Sequence, residues 1–169
     1  MQVFATDRLT IRRLDARDVA ALHAVYGDAE AMRWVGDGQP LALERCQEWV
    51  RVTERNYAAR GYGMFTVLAR DSDDVVGFCG LVHPGGQDDA EIKYALNRAY
   101  WGQGYATEVA AAMLRYGGSV HGLARIIATA APENVASHRV LAKAGMEPAE
   151  PRRGEDGAVT LVFTWAPGP

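Results

Sequence analysis

The sequence predicts a single mixed α/β domain from three observations. Alternating apolar runs read as strands, apolar spacings of three and four read as helices, and a strand, glycine-rich turn, helix and strand follow one another between Ala90 and Ala130. A chain of 169 residues, 49% hydrophobic, is long enough to bury one continuous core. No repeat, low-complexity tract or linker divides it, so residues 1–169 are expected to form one domain.

Taken in order, Leu9 to Leu14 alternates as a first strand. Asp15 then stands where it can cap a helix with Val19, Leu22, Val25 and Tyr26 on one face, ending near Gly27. After the loop Trp34 to Pro40, Cys46, Trp49, Val50 and Tyr57 share a second helical face, which Gly61 can terminate. Strand-like runs follow at Gly63 to Ala69, Val75 to Val82 and Ala90 to Leu96, and their short polar connections imply an antiparallel meander. The turn Trp101 to Ala106 leads into a helix carrying Val109, Ala112, Met113 and Tyr116, then a strand at Arg125 to Ala130. Such a crossover makes its two flanking strands parallel. A short helix, Val135 to Ala144, and a last strand, Val159 to Trp165, complete the expected order.

Composition narrows the function classes. A net charge of -3 gives no general basic field for nucleic acid or an anionic membrane. No run approaches the about 18 apolar residues that span a bilayer, and Met1 to Thr10 has no apolar signal stretch, so a cytoplasmic location is the default expectation. Cys46 and Cys79 lie in apolar segments with no C-x-x-C partner; buried thiols are expected, with neither disulfide nor metal site.

The segment Gly102-Gln103-Gly104-Tyr105-Ala106-Thr107 is placed where backbone N–H groups and a helix N-terminus can face an anion such as a pyrophosphate. It lacks the Gly-Lys-Ser/Thr ending of a P-loop, and Thr107 stands where a dinucleotide fingerprint has its last Gly or Ala. ATP and NAD are therefore not favoured, although an ordinary turn remains an open alternative.

Read with its flanks, Ala90-Glu91-Ile92-Lys93-Tyr94-Ala95-Leu96 before and Pro132-Glu133-Asn134-Val135-Ala136-Ser137 after, the turn resembles that of the GNAT superfamily of N-acetyltransferases. The similarity is closer to the RimJ/RimL-like branch that acetylates ribosomal-protein N-termini, whose Trp-Gly-x-Gly-Tyr-Ala-Thr-Glu turn is matched by Trp101 to Glu108. It extends to Thr6-Asp7-Arg8-Leu9 and to Leu141 to Met146. Trp101 replaces the Gln or Arg of the wider superfamily pattern, and Met146 stands where Phe is commoner.

The resemblance implies a mostly antiparallel sheet of six to seven strands, with a central parallel pair splayed at the coenzyme site and helices on both faces. It implies acetyl-coenzyme A as cosubstrate, with no metal. The pyrophosphate is then expected on the backbone amides of Gly102, Gln103, Gly104, Tyr105 and Ala106, with Thr107 also against the coenzyme. The pantetheine arm is expected on peptide groups of Tyr94, Ala95 and Leu96, whose strand side chains read as core. Asn134 is expected to bond the coenzyme, Arg139 and Lys143 to approach phosphate, and Ser137 to protonate or bind the departing thiolate. Asn134 and Ser137 equally read as a helix cap. Glu91 is the candidate base, acting through water and lining the acceptor side, or else a solvent-facing carboxylate paired with Lys93 or Arg98. Trp34 is a candidate acceptor contact, or simply a loop aromatic, and Asp28, Glu30 and Asp37 are placed to attract a cation. Of the histidines, only His83 falls near the expected cleft.

The expected acceptor is a primary amine, most simply a peptide or protein N-terminus. A small amine (amino acid, polyamine or aminoglycoside) and a noncatalytic acyl-coenzyme A-binding domain are the alternatives. No nucleic-acid or membrane partner is expected, and the chain is expected as a monomer or homodimer.

Overall fold

The computed structural model describes residues 2–169; Met1, where the amino-terminal stretch read above begins, lies outside them. Among the described residues one eight-stranded sheet is flanked by four helices. The strands are β1 (Gln2–Ala5), β2 (Leu9–Arg13), β3 (Met64–Ala69), β4 (Val75–Val82), β5 (Ala90–Leu96), β6 (Ile126–Ala130), β7 (Glu147–Arg153) and β8 (Val159–Trp165). The helices are α1 (Val19–Tyr26), α2 (Leu43–Arg60), α3 (Tyr105–His121) and α4 (Val135–Lys143). Strand order is β1-β2-β3-β4-β5-β6-β8-β7, and every neighbouring pair is antiparallel except β5 and β6.

Eight strands exceed the six to seven expected. Neither β1 nor β7 stands out in the sequence, and they form the two edges of the sheet. β7 reads Glu-Pro-Ala-Glu-Pro-Arg-Arg, a composition an edge strand tolerates because its prolines leave no inner ladder unpaired and its charges face water. Asp15 also acts one step earlier than expected. It caps a single 3-10 turn, Ala16–Asp18, accepting from the Arg17 N–H, while the Asp18 carboxylate takes the Asp15 N–H and the Arg12 guanidinium; α1 follows directly. Gly61 ends α2 in the left-handed conformation, as its position predicts.

Each face of the sheet carries its own core. Leu22, Val25 and Tyr26 of α1 and Cys46 and Val50 of α2 pack with Phe78 and Ala95 on one side. On the other, Val109, Ala110, Met113 and Leu114 of α3 and Leu141 of α4 pack with Leu81, Ile92, Leu96 and Ala128. Strand alternation explains how β5 serves both: Ala90, Ile92 and Leu96 point to the α3/α4 side and Ala95 to the α1/α2 side. Cys46 and Cys79 are free and buried.

Candidate active site

The parallel pairing of β5 with β6 covers only Ala90 with Ile126 and Glu91 with Ile127. From Ile92 onward the strands diverge, leaving a fork at the middle of the sheet. Asn97 donates its N–H to the Val76 carbonyl of β4 at 2.9 Å, so alternation turns the peptide groups of Ala95 and Lys93 to β4 as well. Those of Ile92, Tyr94 and Leu96 therefore face the fork. Trp101 Nε1 donates to the Leu96 carbonyl at 2.9 Å, fastening the end of β5 to the glycine turn. An extended chain laid along this edge finds peptide donors and acceptors at strand spacing.

At the mouth of the fork Gly102 and Gly104 hold φ of 73° and 82°, left-handed values that side chains with a Cβ rarely adopt. α3 begins immediately after, at Tyr105. No side chain caps it, so the amides of its first turn, Tyr105, Ala106 and Thr107, which lack acceptors by helix geometry, stay directed at the turn. Around this cradle the amino-terminal loop closes a network. Glu108 Oε1 accepts from Arg8 Nε at 2.7 Å, and its Oε2 accepts from the Arg8 N–H at 3.0 Å and from the Thr6 hydroxyl at 2.5 Å. Burial works to raise the Glu108 carboxyl, but these Thr6 and Arg8 bonds outweigh it and hold the group below its ordinary value. Arg8 Nη1 also donates to the Gln103 carbonyl at 2.9 Å, and its guanidinium lies 4.2 Å from the centre of the Tyr105 ring.

On the α3/α4 side, the Tyr94 and Ser137 hydroxyls meet across the fork at 2.8 Å. Ile92 and Leu96 are core, as expected, but Tyr94 is not core alone: its ring packs while its hydroxyl reaches the first turn of α4. Burial raises the Tyr94 phenol and the Ser137 bond lowers it, the balance standing at about 12. The helix cap is Asn134, whose Oδ1 accepts the Ser137 N–H at 3.3 Å. The Ser137 hydroxyl takes no part in that cap. Lys143 is exposed at the opposite end of α4, about 9 Å along the axis from Ser137 at 1.5 Å per residue, and only a distal part of a ligand in the fork could reach it.

On the α1/α2 side, Glu91 is 2% exposed, not solvent-facing. Its Oε2 accepts from Thr129 Oγ1 of β6 at 2.8 Å and pairs with Lys93 Nζ at 2.6 Å, while Gln87 Nε2 approaches Oε1 at 3.3 Å. Arg98 does not reach it and instead grips Asp28 through two bonds of 2.7 and 3.1 Å. That pair ties the α1–α2 loop to the end of β5. Met32 of the same loop is buried in one core with Ala95, while Trp34 is 41% exposed with the Arg33 guanidinium 4.9 Å from its ring centre. Of the loop carboxylates, Asp28 is held closely by Arg98, whereas Glu30 meets Arg33 only at 3.9 Å and Asp37 accepts only the Gln39 N–H. His83 shapes the neighbouring turn. Its Nδ1 must donate to the Gln87 carbonyl, so in the neutral ring Nε2 accepts from Tyr62 Oη at 2.8 Å.

The structure therefore gathers Tyr94 to Leu96, Gly102 to Thr107, Asn134, Ser137 and Glu91 around one fork, and leaves Lys143 apart. The sequence alone assigned no role to Arg8, Glu108, Gln87 or Thr129; the available signals were the Thr6-Asp7-Arg8-Leu9 match for Arg8 and the Trp101 to Glu108 match for Glu108. Among the described residues no group of three His, Cys, Asp or Glu side chains could hold a metal ion, and no helix is long and apolar enough to cross a membrane.

Comparison with known proteins agrees with this architecture. The family model described as the acetyltransferase (GNAT) domain matches residues 8–147. The uncharacterised N-acetyltransferase YnaD of Bacillus subtilis (strain 168) is 34% identical over 141 residues, covering 83% of this chain and 80% of its own. RimL, described as a ribosomal L7/L12 α-N-protein acetyltransferase and solved with coenzyme A, shares the fold at a TM-score of 0.82 and 17% identity over 98% of each chain. So does spermidine N-acetyltransferase from Vibrio cholerae, solved with coenzyme A and spermine, at 0.78 and 16% identity over 95% of this chain and 96% of that one. With its glycine cradle and forked sheet, the chain belongs to the GNAT family of acetyltransferases, enzymes that transfer an acetyl group to an amine.

Proposed function

We propose that the chain transfers the acetyl group of acetyl-coenzyme A to the α-amine of a peptide or protein N-terminus. The observation that carries the coenzyme assignment is the fork itself: an unpaired β5 edge from Ile92 to Leu96 that runs to a glycine turn and an uncapped helix N-terminus. Gly102 to Ala106 would hold the pyrophosphate, and the peptide groups of Tyr94 and Leu96 the pantetheine arm. Bound there, acetyl-coenzyme A supplies an activated thioester.

The two faces of β5 then divide the chemistry. The amine approaches from the α1/α2 side, past Trp34, where Glu91 takes up its proton through a water as nitrogen attacks the thioester carbon. The C–S bond breaks toward the α3/α4 side, where Ser137 donates a hydrogen bond to the departing thiolate. An α-amine with pKa near 8 is about one-tenth neutral at pH 7, whereas a lysine side chain with pKa of about 10.4 is neutral in only about one molecule in several thousand.

The competing reading is a polyamine, because the same fold serves a spermidine acetyltransferase. Asp28, bound through two bonds to Arg98, is not free to hold a polycation, which speaks against that reading. The deciding experiment follows thiol release from acetyl-coenzyme A with free-terminus peptides, terminally blocked lysine peptides, amino acids and polyamines. Efficient turnover of the peptides alone is expected; turnover of only the small amines would overturn the N-terminal assignment, and no release with any acceptor would overturn catalysis.

A further inference from the structure

We infer that Arg8 is a positioning residue for coenzyme binding: it sets the direction of the Gln103–Gly104 peptide and turns the Glu108 carboxylate away from the start of α3. The inference rests on the assignment of Gly102 to Ala106 as the pyrophosphate cradle and explains a motif, Thr6-Asp7-Arg8-Leu9, that lies far from it in sequence.

Two geometric facts carry it. In a trans peptide the carbonyl and the following N–H point in opposite directions. Arg8 Nη1 holds the Gln103 carbonyl at 2.9 Å, so the Gly104 N–H is directed away from Arg8. With Gly104 at φ 82° this peptide has few local restraints of its own, and a free carbonyl turned inward would repel an anion. The second fact concerns Glu108, a carboxylate in the first turn of α3 and thus a rival for the positive helix end that the phosphates require. Both of its oxygens are occupied from the amino-terminal loop, Oε1 by Arg8 Nε and Oε2 by the Arg8 N–H and the Thr6 hydroxyl.

The loop that presents Arg8 is itself fixed. The Thr6 N–H donates to the Leu9 carbonyl and Arg70 Nη1 to the Thr6 carbonyl, both at 2.8 Å, while the Arg8 guanidinium rests over the Tyr105 ring. Arg8 serves two acceptors at once through a rigid fork, which an ammonium group on a flexible stem cannot reproduce. The Arg8 side chain is 44% exposed, and ion pairs so placed contribute little to folding. The network should therefore matter more for binding than for stability.

The test compares two acetyl donors, acetyl-coenzyme A and acetyl-pantetheine, which lacks the pyrophosphate and nucleotide. In Arg8→Met and Arg8→Lys, kcat/KM for acetyl-coenzyme A should fall about tenfold, mainly through KM, the size expected for losing charge-assisted hydrogen bonds, while kcat/KM for acetyl-pantetheine stays within about twofold. Equal losses with both donors, or an Arg8→Lys enzyme as active as the parent, would overturn the inference. Gly104→Val separates it from the cradle assignment. If Gly104→Val is selectively defective with acetyl-coenzyme A and the Arg8 variants are not, only the role of Arg8 fails; if Gly104→Val treats both donors as the parent does, the cradle assignment fails.

Discussion

The hydroxyls of Tyr94 on β5 and Ser137 on α4 are 2.8 Å apart, joining the strand that carries the open edge to the helix that closes the fork. A serine hydroxyl has one proton to give. If Tyr94 donates to Ser137 Oγ, the serine proton is left to point at the departing sulfur, and each bond polarises the next.

Ser137→Ala should accordingly lower kcat about tenfold and leave coenzyme affinity within about twofold, the pattern of an interaction made mainly in the transition state. Tyr94→Phe, which keeps the ring packing, should lower kcat by a smaller factor and add nothing to Ser137→Ala in the double variant. Additive losses in that double-mutant cycle would contradict the linked arrangement. Because Asn134 provides the cap, Asn134→Ala should cost about 1 kcal/mol of stability while Ser137→Ala costs little.

Gly104→Val places a β-branched residue at φ 82°. The turn must rearrange to relieve the strain, and calorimetry should detect no coenzyme A binding by a folded variant. Binding as tight as that of the parent would remove the turn from the site.

Glu91→Gln keeps the shape that Thr129 and Gln87 hold but cannot accept a proton. Turnover of a peptide amine at pH 7 should fall at least about tenfold, and the remaining kcat/KM should climb with pH toward the pKa of the free amine near 8. A variant whose pH–rate profile matches the parent would exclude Glu91 as the base. Lys93→Met should lower the melting temperature more than Glu91→Gln does. It leaves a buried carboxylate without its cation, whereas Glu91→Gln frees a half-exposed ammonium that can turn to water.

Glu108 gives a pH signature. Its folded-state pKa is depressed below the ordinary value of 4.5, so its contribution to stability is present above that value and is lost as pH falls through the folded pKa. The melting-temperature gap between the parent and Glu108→Gln should therefore be widest near neutral pH and shrink below about pH 4.5. A gap that stays constant down to pH 3 would mean that the Thr6 and Arg8 bonds do not favour the ionised carboxylate.

Local patterns determined most of the architecture. Period-two alternation in Ala90 to Leu96, helical spacing of Val109, Ala112 and Met113, and the glycines between them sufficed to predict a parallel pair joined by a helix, because each signal lies within a few residues of chain. The edge strands escaped that logic: Glu147 to Arg153 pairs with β8 for want of another neighbour, not because its prolines and charges favour a strand. The site divides in the same way. Backbone donors at Gly102 to Thr107 were legible because glycine and a helix start are local properties. Only tertiary structure decided that Glu91 is buried against Thr129, that Arg98 serves Asp28 instead, that the Tyr94 hydroxyl meets Ser137, and that Arg8 grips Glu108 a hundred residues away. Hydrogen bonds and ion pairs of this kind depend on ångström distances between elements, and those distances are set by the packing of two cores against one twisted sheet, which no window of sequence contains.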